Sequence, residues 1–442
     1  MEVRPDLDIL IVGGGFSGVA LSTNLVAKKA GLKIAVARDP KQPRIGMAYE
    51  TDCPLHLLNV PAKGMSALAD QPNDFIDWAA SQGITLAPND FAPRMTYRAY
   101  LEHLLSAQLL TGQVAEVADE ITSLKPEGDQ WVATTSEGLQ LTAQTVVLAF
   151  GVFPPDPFLA ASQVQNDPRY HPDPWHKGNS SEWGAEKRVA IIGTGLTAVD
   201  VVLTGESAGW KGHYTMISRS GRLSQIHDLS TPALPPDTIP PPVDSARALL
   251  KALRDAAKNA DIHGSNWRAV VDGMRPKIPI YWQTLSEQEK RRFLSHLRPF
   301  WEIHRHRMAP EIAARLESLK NEGRLSIIKG GVRQISADSE GLVLTGLEAS
   351  YQFDRIYNCT GPTGKLSMWP SPLIRQLIQD GQVALDSGQR GINFEGNGRV
   401  CGSAKGLYVL GHPRKGIQWE STAVPELRVQ AANLATELAQ AV

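Results

Sequence analysis

Two clusters of small residues carry the most specific chemistry in this chain. Gly13, Gly15 and Gly18 stand in "LDILIVGGGFSGVAL" (residues 7–21), and Gly193, Gly195 and Ala198 stand in "VAIIGTGLTAVD" (residues 189–200). At this spacing the first small residue permits a tight turn and the second lets backbone approach a pyrophosphate. The third lets a helix pack closely on a strand. The helix that follows offers unpaired N–H groups and the positive end of its dipole to phosphate oxygens. Phe16 and Ser17 in the first cluster, and Leu196 and Thr197 in the second, are candidate cofactor-binding positions on the same grounds.

Such a turn works only between a strand and a helix, and both turns have that setting. Residues 8–12 form a short apolar run of the buried parallel-strand kind, residues 17–29 read as a helix, and residues 32–37 as the next strand. The second unit repeats the pattern with a strand at 188–192, a helix from 196 to about 204, and the strand "HYTMIS". Further apolar strands run into glycine at 145–151 and 355–361, and a third lies at 405–412, so Gly151, Gly361 and Gly411 join the candidate cofactor-binding set.

The pattern predicts an α/β fold with two Rossmann-like dinucleotide-binding domains, the second inserted in the first. The expected bounds are 1–160 and 351–442 for the first domain and 161–350 for the second. A helical insertion is expected at 245–323. Within it, Phe293, Leu297, Phe300, Trp301, His304 and Met308 fall on one helical stripe, with Pro299 placed to kink it. Pro310 suits the first position of a further helix, which Gly323 would stop.

Bulk composition narrows the function. The 442 residues are 42% apolar and 21% charged, with a formal net charge of -1. That balance argues against a nucleic-acid surface or an anionic-membrane binder, each of which needs clustered cations. Cys53, Cys359 and Cys401 are far apart and form no C-x-x-C pair, which removes the dithiol chemistry of disulfide reductases. The N-terminal stretch lacks the features of a secretory signal and no apolar run reaches membrane-spanning length, so a cytoplasmic location is expected.

The two units differ where a ribose would lie. About twenty residues past the last small residue a carboxylate usually binds the ribose 2′-OH. In the second unit that place holds Ser218, then Arg219, with Arg222 close by; no acid is there to repel a 2′-phosphate, which favours NADPH over NADH. In the first unit the place holds Arg38, a departure from the usual acid: either Asp39 beside it takes the ribose after a one-residue slip, the reading preferred here, or the adenosine end is held differently. Two dinucleotides in one chain make sense if one is a resident FAD and the other delivers hydride to it.

At this point the chain resembles the FAD-NAD(P)-binding protein family, within the flavoproteins that carry two dinucleotide domains. The resemblance rests on "GMAYETDCPLHLLNVPAKGMSAL", "PNDFIDW", "PRMTYRAYL", "IIGTGLTAVD", "RPFWEIHRHRMAP", "NCTGP" and "WESTAVPELRVQAANLA", spread over most of the chain. It implies FAD at the first glycine turn and Asn59 near the isoalloxazine. It also implies closure of that site by Gly411 and by the segment of Trp419, Glu420, Ser421 and Thr422, with a helix over 422–438 whose positive end faces the flavin. "YHPDPWHKG" places His171 four residues before Trp175 and is similar to half of the monooxygenase fingerprint H-x-x-x-(Y/W); the other half is missing, because Phe150 and Gly151 lie far from His171.

The catalytic candidates are therefore Asn59, His171, His304 and Glu420. In "HRHR" a metal site is a poor reading, since His304 and His306 diverge on a helix and lack a third ligand; Arg305 and Arg307 could line an acidic substrate's path or form a salt-bridged face. Glu420 and Glu426 could serve as acid–base groups or stabilise a helix start. The leading expectation is an FAD-dependent, NADPH-oxidising monooxygenase that uses O2 to oxygenate nitrogen, sulfur or a carbonyl of a small molecule through a flavin hydroperoxide. The alternatives are a reductase without oxygenation and a non-catalytic FAD/NAD(P)H sensor.

Overall fold

The computed structural model describes residues 6–151, 155–175, 183–184, 186–362, 364–420 and 422–441. The strand Asp6–Val12 feeds the helix Phe16–Lys28, and the chain returns in the strand Ile34–Ala37, parallel to the first with Ile9 opposite Ile34 and Val12 opposite Ala37. These strands are apolar on both faces because both faces are covered. On one face the helix Phe16–Lys28 and the C-terminal helix Val424–Ala441 share a core with Val19, Leu25, Leu434 and Leu438 fully buried. On the other face Leu10, Trp131, Leu148, Leu373 and Leu377 close a second core. The nine-stranded sheet runs from Phe394–Glu395 through Leu407–Val409, Gln140–Leu148 and Asp6–Val12 to Val114–Val117, so it takes strands from both ends of the chain.

The second sheet is parallel, in the order Leu325–Lys329, His213–Ser218, Arg188–Ile192, Arg355–Asn358, Tyr170–His171. Arg355–Asn358 pairs with Arg188–Ile192 on one side and with Tyr170–His171 on the other. The expected boundary at 350/351 is thus corrected: the chain rejoins the first sheet only after this strand. A small antiparallel sheet of Val332–Ala337, Leu342–Gly346 and Ser350–Phe353 packs Ile335 and Leu344 against Ala190 and Ile192.

The helical insertion is closed at its stem by backbone. Gln225 N donates to Ile303 O at 2.8 Å, Met308 N donates to Gln225 O at 2.9 Å, and His227 N donates to Met308 O at 3.0 Å. The insertion therefore spans the residues between 227 and 303, not 245–323. The helix Pro310–Asn321 belongs to the second domain, where Ile312, Leu316 and Leu319 pack with Val199 and Tyr214. Inside the insertion, Val270, Met274, Trp282, Phe293 and Trp301 form a separate core.

The expected single stripe over 293–308 is broken. A π-helical turn at Phe293–Leu297 precedes the short helix Arg298–Arg305. The widened turn accommodates Pro299, which lacks an N–H and whose ring would crowd the carbonyl four residues back. One extra residue in a turn rotates everything beyond it: Phe300 is 43% exposed, and Met308 reaches the core from beyond the helix end.

Candidate functional site

Both glycine turns adopt one backbone form. Gly13 and Gly193 each have φ +124, a region that side chains rarely enter. A Cβ on Gly13 would lie 2.5 Å from Ala149 O, and one on Gly193 would lie 2.4 Å from Cys359 O. The third glycine of the first turn is as constrained: a Cβ on Gly18 would meet Gly13 O at 2.0 Å. At the second position the space opens. Nothing lies within 4 Å of a Cβ on Gly195, and the nearest atom to one on Gly15 is Ile45 O at 3.6 Å.

The helices that follow are uncapped. Gly15 and Gly195 are their N-caps and, among the described residues, supply no side-chain cap to either first turn. By contrast Ser245, Asn266, Ser286 and Ser371 cap four other helices with their own side chains. An uncapped start leaves backbone donors for an outside acceptor, which is the condition a pyrophosphate requires. The residues present fit two dinucleotide phosphate groups: Phe16 and Ser17 head the first helix, and Leu196 and Thr197 the second.

The first turn is closed from the C-terminal side. Gly411, at φ +78, brings backbone so near the first helix that a Cβ there would lie 2.6 Å from Ser17 Oγ. Gly411 N donates to Gln430 Oε1 at 3.3 Å, which ties this turn to the C-terminal helix. That helix begins at Val424 rather than at 422, and Thr422 is exposed before it. Ser421 lies outside the described residues. Gly151 is exposed at the end of its strand, and Gly361 takes φ +94 directly after Arg355–Asn358.

The ribose ends diverge. After Ile34–Ala37, Arg38 donates to Glu116 Oε1 at 2.6 Å, and Arg44 reaches Glu116 Oε2 at 3.2 Å; Asp39 Oδ1 accepts Lys41 N at 2.9 Å. After His213–Ser218, the Ser218 hydroxyl is occupied within the loop, 2.9 Å from Thr194 Oγ1 and accepting Gly221 N at 3.0 Å. Ser218 therefore shapes the turn. Arg219 is exposed and makes no ion pair among the described residues, and the Arg222 guanidinium lies 4.6 Å from the centre of the Phe300 ring. This end carries positive charge, and among the described residues no carboxylate pairs with it.

The catalytic candidates do not gather at one point. His171 is the register partner of Tyr357, and its ring stacks on that tyrosine at 4.5 Å within the second sheet. His304 lies elsewhere, on the helix Arg298–Arg305. Its Nδ1 donates to Phe300 O at 2.7 Å and its ring meets Trp267 edge-on at 4.6 Å, so it is bound to its own helix. Trp419 is buried in the insertion's core against Trp282 at 4.8 Å and Phe293 at 5.2 Å, turned toward packing rather than toward the glycine turn.

Asn59 and Glu420 do meet the helical insertion along one seam. His227 Nε2 donates to Asn59 O at 3.0 Å, and burial beside Arg307 lowers the imidazole pKa to about 4, so it is neutral near pH 7. Glu420 has φ +59 and lies 3.3 Å from His306 Nε2 and 3.8 Å from Arg305 Nε. Although burial opposes its charge, His306, Arg305 and Lys415 together hold its pKa down to about 2. Glu420 is thus a fixed carboxylate and not a proton donor near neutrality. Glu426, in the first turn of the C-terminal helix, pairs with Arg275 at 2.8 Å and Arg305 at 3.5 Å.

A second seam was not foreseen. Arg94 Nη2 meets Asp200 Oδ2 at 2.9 Å, and His56 sits between Thr51 Oγ1 at 2.8 Å and Asp200 O at 2.8 Å. These contacts lock the first domain onto the helix Leu196–Ser207 of the second. Arg94, His56 and Asp200 all fall within the quoted family segments, yet spacing alone does not reveal that three distant segments meet.

The fold and turns define a class: an α/β chain with two dinucleotide-binding domains and a helical insertion. Residues 10–153 match the family described as FAD-NAD(P)-binding. Over 99% of its length the chain is similar to the ornithine N-hydroxylase of Kutzneria sp. 744, solved with reduced FAD, NADP+ and L-ornithine (TM-score 0.69, 16% identity, all of that chain covered). It is similar to the same extent to an L-lysine 6-monooxygenase from Pseudomonas syringae (TM-score 0.67, 16% identity, 99% and 100% covered). A Baeyer-Villiger monooxygenase from Stachybotrys chlorohalonatus is 26% identical over 208 residues, which is 44% of this chain and 31% of that protein. Among the described residues no helix is long and apolar enough to cross a membrane.

Proposed function

We propose that the chain is an FAD-dependent, NADPH-oxidising monooxygenase that transfers oxygen from O2 to a nitrogen, sulfur or carbonyl group of a small molecule. The observation that carries this is the pair of uncapped glycine turns with unlike ribose ends, one walled by Gly411 and the C-terminal helix, the other ending in unpaired arginine. The named activities of the structural neighbours and of the Baeyer-Villiger relative support the same reaction class. In such a site bound FAD supplies two-electron transfer and the activation of O2.

The chain's own groups have distinct tasks in this reading. Backbone N–H groups of residues 16–18 and 196–198 bind the two pyrophosphates, and Asp39 binds the ribose of FAD. Arg219 and Arg222 bind the 2′-phosphate of NADPH, where a guanidinium gives charge-assisted hydrogen bonds. Asn59, positioned by His227 through its main-chain oxygen, lines the flavin side of the seam. The Trp282, Phe293 and Trp419 cluster, tied by Trp282 Nε1 to Gly416 O at 2.9 Å, keeps water from that side.

Turnover in isotopically labelled O2 tests the reading. With a panel of amines, thioethers and ketones, NADPH consumption should rise with one class, and the label should appear in its product. Flavin reduced by NADPH with no label in any product would favour the reductase reading.

A further inference from the structure

The mechanism leaves two buried arginines unexplained. Arg305 and Arg307 are 6% and 3% exposed, at the end of the helix Arg298–Arg305 where the insertion returns to its stem. Arg307 Nη2 is held by Asp272, yet Nε and Nη1 are shielded from solvent and have no hydrogen-bond partner among the described residues. Arg305 Nε is likewise without a hydrogen bond, its nearest carboxylate oxygen being Glu420 Oε2 at 3.8 Å. On the same segments the indole N–H groups of Trp301 and Trp419 are buried and unpartnered. Glu426 Oε2 is the opposing case, a buried acceptor without a hydrogen bond, but the guanidinium of Arg275 is already against that carboxylate.

A buried donor left unmade costs about 1–3 kcal/mol, and more when it is charged. Several gathered at one seam, with donors in excess, are complementary to a group that only accepts. The seam is also where the insertion meets the two segments placed at the flavin: His227, lowered in pKa chiefly by burial and then by Arg307, holds Asn59, and Arg305 faces Glu420. Asp272, Glu420 and Glu426 offset three guanidinium charges, while His306 and Lys415 also bear on Glu420.

We propose that Arg307, assisted by Arg305, forms an anion subsite that binds a carboxylate of the small-molecule substrate and so orients it toward the flavin. The substrate class is then organic acids. This rests on the monooxygenase reading for its purpose but not for its test, because binding is read without turnover.

Trp267 packs on Arg307 with its ring centre 5.9 Å from the guanidinium carbon, so indole fluorescence reports on the site. The FAD-loaded protein is titrated with sodium acetate, hexanoate and benzoate, and in parallel with hexanamide and benzamide. A saturable fluorescence change is expected for at least one carboxylate, about tenfold or more tighter than for its amide, in line with the strength of charge-assisted hydrogen bonds. Arg307→Met should weaken carboxylate binding about tenfold to a hundredfold, and Arg307→Lys should restore part of it.

Equal response to acid and amide in the wild type overturns the proposal without recourse to any variant. So does undiminished carboxylate binding in a folded Arg307→Met protein. Protein that never retains FAD, yet still discriminates acid from amide, would defeat the monooxygenase reading and leave the subsite standing.

Discussion

The two glycine turns are alike in backbone and unlike at their ribose ends. Both place a glycine at φ +124 against a neighbouring strand, and both start an uncapped helix. Beyond the second strand, the first unit pairs Arg38 and Arg44 with Glu116, while in the second Arg219 makes no ion pair among the described residues. The difference teaches where selectivity resides. In the proposed reading, main chain recognises a pyrophosphate common to both cofactors, and side chains at the strand ends tell one nucleotide from the other.

The comparison can be broken most severely at the turns themselves. Gly13→Ala should abolish FAD retention, because its Cβ would meet fixed backbone at 2.5 Å; absorbance of the purified protein checks this. Gly193→Ala should leave the protein yellow yet unable to bind NADPH, a separation that calorimetry of the oxidised form would show. Loss of both cofactors in either variant would mean that the turns are not independent sites.

The ribose ends give the next effect. The wild type should bind 2′,5′-ADP about tenfold or more tighter than 5′-AMP, as charge-assisted hydrogen bonds to a phosphate allow. Arg219→Ala should remove most of that preference while 5′-AMP affinity stays the same. Exchanging the order of preference by Arg219→Asp would sharpen the assignment further.

The seam of the insertion offers a smaller, pH-dependent effect. His227 titrates at about 4 in the folded protein against 6.5 unfolded, so between those values the unfolded state binds more protons. Its stabilising contribution is present above pH 6.5 and is lost as pH falls toward 4. His227→Gln should flatten part of the fall in Tm across that window, with little change at pH 8. An unaltered profile would place the acid sensitivity elsewhere, with His412, lowered to about 3 by burial, the next group to test.

Strand–turn–helix units were legible in the sequence because glycine spacing and short apolar runs are local signals. The order of strands within the second sheet was less so: Arg355–Asn358 looks like any apolar strand, and only its pairing with Arg188–Ile192 assigns it to the second domain. The stripe over 293–308 misled because a π turn before Pro299 resets the helical phase, and no spacing rule announces it. Arg307 was visible as one residue of a cation-rich tetrapeptide, but its burial depends on Asp272 and Trp267, some forty residues away. His171 carries a motif echo, while its strand pairing with Tyr357 is set by tertiary contact that spacing does not reveal. Local grammar predicts the cradles; tertiary contact decides which polar side chains face them.

Anaerobic mixing of the FAD-loaded protein with NADPH or NADH tests the division of labour between the turns most directly. Bleaching of the flavin band should be faster with NADPH by about tenfold or more at equal subsaturating concentration, as charge-assisted contacts to one phosphate permit. Equal rates with the two nucleotides, or a faster reaction with NADH, would contradict the account.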